Sequence, residues 1–221
     1  KETILDIKNE KLHGLNVTVP FKRSVIKYLD SITDIAEKTQ SVNTIYKLAN
    51  KIVGDNTDVG GFERSLKEIN YKIQNKKIFI LGAGGVVGSI ILALKNLKAG
   101  EIVLSNRTKD KAINLKKIYP DLHIIDWGSI TNFDIIINAT SLGLKKEDSI
   151  NLNLQNIGEE KLFYDVIYNP GITNFLKEGK KLKNKTENGK MMFIYQAQLA
   201  FKIWHNILPE IDNEIIDLLN T

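Results

Sequence analysis

LNVTV at positions 15–19 alternates apolar and polar side chains and is rich in β-branched residues, which predicts a strand. Apolar positions at helical spacing from Phe21 to Leu29 predict a helix directly behind it. VNTIYKL (42–48) and KIVGD (51–55) read as a strand pair joined at Ala49-Asn50, where asparagine tolerates a turn conformation. Phe62, Leu66 and Ile69 then recur at helical intervals behind Thr57 or Asp58, either of which suits a helix N-cap. From KKIFIL (76–81) the rhythm changes to continuous apolar runs of the kind that lie buried on both faces of a parallel sheet. Ile90–Leu97 reads as helix, EIVLS (101–105) as strand, Lys109–Ile118 as helix, and DIIINA (134–139) and LFYDVIY (162–168) as further strands. This alternation predicts a doubly wound parallel sheet of the Rossmann type, covering residues from about 70 to 185. KEGKKLKNKTENGK (177–190) reads as a solvated surface connection. Met191–Ile207 follows as a helix. An amphipathic helix after Pro209, with Ile211, Ile215, Leu218 and Leu219 on one face, calls for a partner in the first part of the chain.

Length and composition narrow this picture. With 221 residues, 43% of them hydrophobic, the chain can bury the core of one large or two small domains. No apolar run approaches the roughly 18 residues of a membrane span, so no membrane partner is expected. No leader pattern is visible at the N-terminus, and a chain opening on Lys1 is expected to be a piece of something longer. The lack of cysteine excludes disulfides, thiolate nucleophiles and cysteine-bound zinc, and fits a cytoplasmic protein. A net charge of +5 raises nucleic acid as a partner, but of 31 Lys and Arg residues only Arg23, Arg64 and Arg107 are arginine, and the lysines are scattered. No nucleic-acid partner is therefore expected. His13, His123 and His205 lack metal-ligand spacing, so no metal is expected either.

The chemistry begins at Gly82-Ala83-Gly84-Gly85, between a buried strand and a helix. Gly82 permits the tight turn, and Gly84 lets backbone N–H groups approach a pyrophosphate at the helix N-terminus. The G-x-G-x-x-G pattern is imperfect, since its third position is Val87 and Gly88 lies one residue beyond. The next strand ends in Ser105-Asn106-Arg107-Thr108, without the acidic residue that receives the ribose of NAD. An arginine fork with hydroxyl and amide donors suits the 2′-phosphate of NADP, and Lys111 adds a second cation. Lys22 follows Pro20 at the expected helix start, where the macrodipole disfavours a positive charge and favours proton release to an alcohol or ketone. Asp58 in GDNTD is a carboxylate able to hold that lysine and share its proton, or a plain N-cap.

NVTVPFK, VNTI, GDNTD, GAGG, NRT, NATSLG, YDVIYNPGIT and GKMMFIYQAQLAFKIW occur in this order, and by them the chain resembles the shikimate dehydrogenases over nearly its whole length. The resemblance implies reversible, NADP-dependent reduction of 3-dehydroshikimate to shikimate, in the biosynthesis of chorismate and the aromatic amino acids. It implies Lys22 and Asp58 as the catalytic pair, and Thr18, Asn43, Tyr168 and Gln196 as substrate-binding residues. Gly82 to Gly85, Asn106, Arg107, Thr108 and Lys111 are implied as cofactor-binding, with Thr140 and Met192 lining the nicotinamide. Lys111 stands where many relatives have arginine, and Met191 where glycine is usual. The family also opens with a strand and a serine-bearing loop that grips the substrate carboxylate. Lys1 begins after that point, which implies weaker substrate binding by this chain and a first sheet without its leading strand.

The expected architecture is a two-domain α/β protein. Residues 1–57 and 190–221 form a substrate domain, residues 58–189 an NADP-binding Rossmann domain, and the active site lies in the cleft between them. The expected assembly is a monomer or homodimer. The rival readings are an NAD-dependent quinate/shikimate dehydrogenase and a catalytically impaired dinucleotide-binding fragment.

Overall fold

The computed structural model describes residues 2–219. Two sheets organise them. The first is built from β1 (Gly14–Asn16), β2 (Ser31–Ile32), β3 (Thr44–Leu48) and β4 (Lys51–Asp55), in the order β1-β3-β4-β2. β3 and β4 form the antiparallel hairpin expected around Ala49-Asn50, with Ala49 at φ 51°, while β2 joins β4 in parallel. Two short helices, α1 (Glu2–Lys8) and α2 (Asp34–Thr39), were not legible in the hydrophobic pattern. Their Ile7 and Ala36 close a small core over Val17, Val42, Ile45 and Ile52.

Two expectations for this lobe are corrected. The strand expected at 15–19 stops at Asn16, because the Thr18 carbonyl accepts the Phe21 N–H at 2.8 Å and turns the chain out of the sheet. The helix expected from Phe21 to Leu29 is a series of turns with a single 3-10 turn at Ile26–Tyr28. The Lys22 carbonyl, which a helix would offer to Ile26, instead accepts the Val42 N–H at 2.8 Å. Tertiary pairing has taken the hydrogen bond that helical propensity needed. With no α-helix there, Lys22 owes nothing to a macrodipole.

The second sheet is wholly parallel, in the order β10-β9-β8-β5-β6-β7. Its strands are β5 (Ile78–Leu81), β6 (Ile102–Ser105), β7 (His123–Ile125), β8 (Ile135–Asn138), β9 (Leu162–Asp165) and β10 (Lys185–Glu187). Every residue of β5, β6, β8 and β9 is buried, as continuous apolar runs require. One face packs on α3 (Asp58–Glu68), α4 (Val87–Asn96) and α5 (Lys109–Ile118) through Phe62, Leu66, Ile90, Leu94 and Ala112. The other face, with Phe79, Phe133 and Phe163, receives α6 (Asn174–Lys181) through Phe175 and Leu176.

The lysine-rich stretch at 177–190 is not a mere surface connection. It supplies the end of α6 and the edge strand β10, paired in parallel with β9. Lysine stems point outward there while Gly179 packs on Phe163, so polar composition and a place in the sheet coexist. The long helix α7 (Lys190–His205) returns to α3, and α8 (Asn213–Asp217) lies beside α7 rather than on the N-terminal lobe, with Ile215 facing Phe193, Ala197 and Phe201 across an apolar cavity. No helix is long and apolar enough to cross a membrane among the described residues.

Candidate active site

β4 delivers the chain into α3 at the edge of the cleft, and Asp58 is the first helical residue. Thr57 is the N-cap, yet its hydroxyl makes no cap hydrogen bond; the Asp58 side chain turns into the cleft instead. Its Oδ2 accepts a hydrogen bond from Lys22 Nζ at 2.6 Å, and its Oδ1 accepts one from Asn43 Nδ2 at 3.0 Å. The Lys22 and Asp58 side chains are only 12% and 6% exposed, so the ion pair is held against solvent competition.

Asn43 is the organising amide. Its Oδ1 accepts the Thr57 N–H at 2.8 Å and the Thr44 hydroxyl at 3.0 Å, while its Nδ2 reaches Gln196 Oε1 at 3.2 Å as well as Asp58. This amide therefore orients Asp58 and Gln196, a part the sequence did not disclose. Asn56 Oδ1, also unmarked in the sequence, accepts the Asp58 N–H at 3.0 Å. Around the pair opens a cavity of about 490 Å3, lined also by Thr18, Tyr168, Met192 and Gln196. Tyr168 stacks on Phe193 with ring centroids 4.5 Å apart. Asn16, the first residue of NVTVPFK but given no role by it, lines the same cavity.

A second cavity, of about 590 Å3, adjoins the first and shares Val86 and Val166 with it. Its rim carries Gly82 to Gly85, Asn106, Arg107, Thr108, Lys111 and Thr140. Thr140 and Met192, expected beside one ring, thus line different cavities that meet at Val86 and Val166. Gly82 has φ +109°, and a Cβ there would meet the Ala139 carbonyl oxygen at 2.7 Å, so packing itself demands glycine. At Gly84 and Gly85 the nearest atoms to an added Cβ lie 3.9 Å away, so internal packing does not demand glycine there. Bare backbone on an open cavity suits the close approach of a phosphate. Neither Arg107 nor Lys111 has a carboxylate within ion-pairing distance among the described residues, so both guanidinium and ammonium remain available to an anion. These residues fit a dinucleotide with an additional phosphate.

A third cavity of about 350 Å3 continues from Lys111 and Gly85 to Arg23 and Ser41 of the first lobe. The lobes touch here through polar side chains: Ser41 donates to the Gly85 carbonyl at 3.1 Å, and Asn56 Nδ2 to Ser89 Oγ at 2.9 Å. Tyr119 donates to the carbonyls of Lys38 and Gly88 at 3.0 and 2.9 Å, and burial pushes its phenol up to about 12. The roles of Ser41, Asn56 and Ser89 are not legible in the sequence, because their partners lie on other elements.

Comparison with known proteins accords with this arrangement. The family model for the shikimate dehydrogenase substrate binding domain matches residues 1–45, and that for shikimate / quinate 5-dehydrogenase matches residues 64–168. The chain is 60% identical over 220 residues to the shikimate dehydrogenase (NADP(+)) of Pelagibacter ubique (strain HTCC1062), covering 100% of this chain and 83% of that protein. The chain belongs to the shikimate dehydrogenase family. Among solved shikimate dehydrogenases, the Thermus thermophilus enzyme in complex with NADP(H) and shikimate superposes with a TM-score of 0.87 at 28% identity, over 99% of this chain and 82% of that one. The ligand-free 5-ketofructose reductase of Gluconobacter sp. strain CHM43 superposes with a TM-score of 0.88 at 30% identity, over 99% and 82% of the two chains. One architecture thus serves carbonyl compounds of different shape, and substrate choice within the shikimate dehydrogenase fold has to be argued from side chains.

Proposed function

We propose that this chain reduces 3-dehydroshikimate to shikimate reversibly with NADPH, with Lys22 and Asp58 as its catalytic pair. The observation that carries the reading is the 2.6 Å contact between Lys22 Nζ and Asp58 Oδ2, on a cavity that adjoins a second, glycine-rimmed one. The family membership of the chain supports the substrate. Bound NADPH supplies a hydride. Lys22 gives its proton to the substrate oxygen as the carbonyl becomes an alcohol, and in the reverse direction takes it back. Asp58 keeps the lysine aimed, and Asn43 keeps Asp58 from turning away.

Thr18, Asn43, Tyr168 and Gln196 are proposed to bind the substrate hydroxyl and carboxylate groups. Asn106, Arg107, Thr108 and Lys111 are proposed to hold the 2′-phosphate, and Gly82, Ala83, Gly84 and Gly85 the pyrophosphate. Thr140 and Met192 are assigned to the nicotinamide where the cavities meet. The corresponding division is a substrate domain of residues 1–57 and 190–221 and a nucleotide domain of residues 58–189. Lys22→Ala should lower NADPH-dependent turnover of 3-dehydroshikimate by about 10²- to 10⁴-fold, with NADP affinity near that of the parent. Turnover retained in that variant would remove Lys22 from the mechanism. Equal rates with NADH and NADPH would favour the NAD-dependent quinate/shikimate reading instead.

A further inference from the structure

Asp165 closes β9, is fully buried, and takes no part in the chemistry above. Its Oδ2 accepts a hydrogen bond from the Thr173 hydroxyl at 2.6 Å; its Oδ1 accepts from the Ile167 N–H at 3.0 Å and from Asn138 Nδ2 at 3.1 Å. Asn138, equally buried at the end of neighbouring β8, also donates to the Leu142 carbonyl at 3.0 Å. Its Oδ1 accepts both the hydroxyl and the N–H of Thr140, at 2.7 and 3.1 Å, and Thr140 Oγ1 accepts the Leu142 N–H at 3.0 Å. An unbroken relay of hydrogen bonds therefore runs from a buried carboxylate to the turn at residues 139–142, which walls the larger cavity.

Burial pushes the Asp165 carboxyl up to about 6, so keeping a carboxylate there costs the fold free energy. Replacing Asp165 and its partners together by apolar groups of similar volume would serve folding about as well, whereas a lone apolar side chain at 165 strands the Thr173, Ile167 and Asn138 donors. What an apolar pair would not do is hold Thr140 in one orientation, since its N–H and its hydroxyl are engaged through Asn138 and the turn itself.

We propose that Asp165, acting through Asn138, is a positioning residue that fixes the Thr140 turn against the nicotinamide. The inference rests on the cofactor reading above. Asp165→Leu removes the anchor, and Asn138→Leu cuts the relay while leaving Asp165 its bonds to Thr173 and Ile167. Each should lower kcat by about 10- to 100-fold, the effect of a misplaced reacting group, and weaken NADPH binding. Shikimate affinity should stay at the parental value in Asn138→Leu, because the Lys22, Asn43, Asp58 and Gln196 network makes no hydrogen bond to the relay and Asp165 still holds the Ile167 N–H beside Tyr168. NADPH deuterated at the transferred position should give a larger isotope effect than with the parent, a readout that loss of stability alone would not move. Asp165→Asn keeps an acceptor oxygen for Asn138 and Ile167, and should restore most of the activity.

Unchanged kcat and isotope effect in a folded Asp165→Leu or Asn138→Leu variant would overturn the proposal, as would an equal loss of shikimate affinity in Asn138→Leu. If Asp165→Leu does not fold, Asn138→Leu decides. A parent without 3-dehydroshikimate turnover would sink the functional reading by itself. NADPH affinity, followed by the fluorescence of the nucleotide, would then still judge the relay: equal affinities in the parent and Asn138→Leu overturn it.

Discussion

Two carboxylates in this protein sit in opposite circumstances. Asp58 faces an ammonium, and removing its charge as Asp58→Asn leaves Lys22, with its side chain only 12% exposed, without a counter-ion. Breaking a buried pair from one side costs about 3 kcal/mol, so the variant should melt earlier as well as turn over more slowly, which thermal unfolding and NADPH oxidation would each record. Asp165 faces only neutral hydrogen-bond donors, and desolvation raises its carboxyl from 3.8 to about 6. A raised carboxyl means that the folded state holds its proton more tightly than the unfolded chain does. The contribution of this group to stability is therefore greatest below pH 4, falls as pH rises from about 4 to about 6, and is absent above that range. The difference amounts to about 3 kcal/mol. Urea unfolding of Asp165→Asn beside the parent at pH 4.5 and pH 7 should show the parent losing more stability over that interval than the variant.

At the scale of elements, the closest join is between α3 and α7. A Cβ on Gly61 would stand 2.9 Å from the Gln196 N and Cβ atoms and 2.9 Å from the Met192 carbonyl oxygen. Backbone cannot swing aside as a side chain does. Gly61→Ala should therefore cost about 1 to 3 kcal/mol by urea unfolding, and raise KM for the substrate because Gln196 is carried away with α7. The hydrophobic pattern led to α3, to the buried strands and to α7, since long periodic runs report burial directly. It did not lead to α1, β2, α2, β7, α6 or β10. α1 and α2 expose most of their length, and β2, β7 and β10, of two or three residues, are too short for a period.

Across the whole molecule, two ligands would occupy adjoining cavities that share Val86 and Val166, so each should stabilise the fold. Shikimate and NADP should each raise the melting temperature of the parent. Arg107→Ala should weaken NADP by about 10- to 100-fold, the worth of a lost charge-assisted hydrogen bond, and leave NAD binding as it was. Isothermal titration with both nucleotides would measure the difference, and an equal loss for NAD would detach Arg107 from the 2′-phosphate. Much of the candidate site was legible: the order of Lys22, Asp58, the glycines and Arg107 along the chain already named residues that line these cavities. Asn56 and Ser41 were not, because their significance lies in partners on other elements, Ser89 and Gly85.

The sequence by itself determined the alternation of strands and helices, the glycine turn after β5, the cationic end of β6 and the family, because each is written in neighbouring residues or in ordered motifs. Only the tertiary structure decided that Lys22 meets Asp58 across 36 positions, that Asn43 serves both Asp58 and Gln196, and that a lysine-rich stretch closes the sheet as β10. The physical reason is competition for hydrogen bonds and burial. The Lys22 carbonyl goes to Val42 rather than to its own helix, and such choices depend on what the rest of the fold brings within reach.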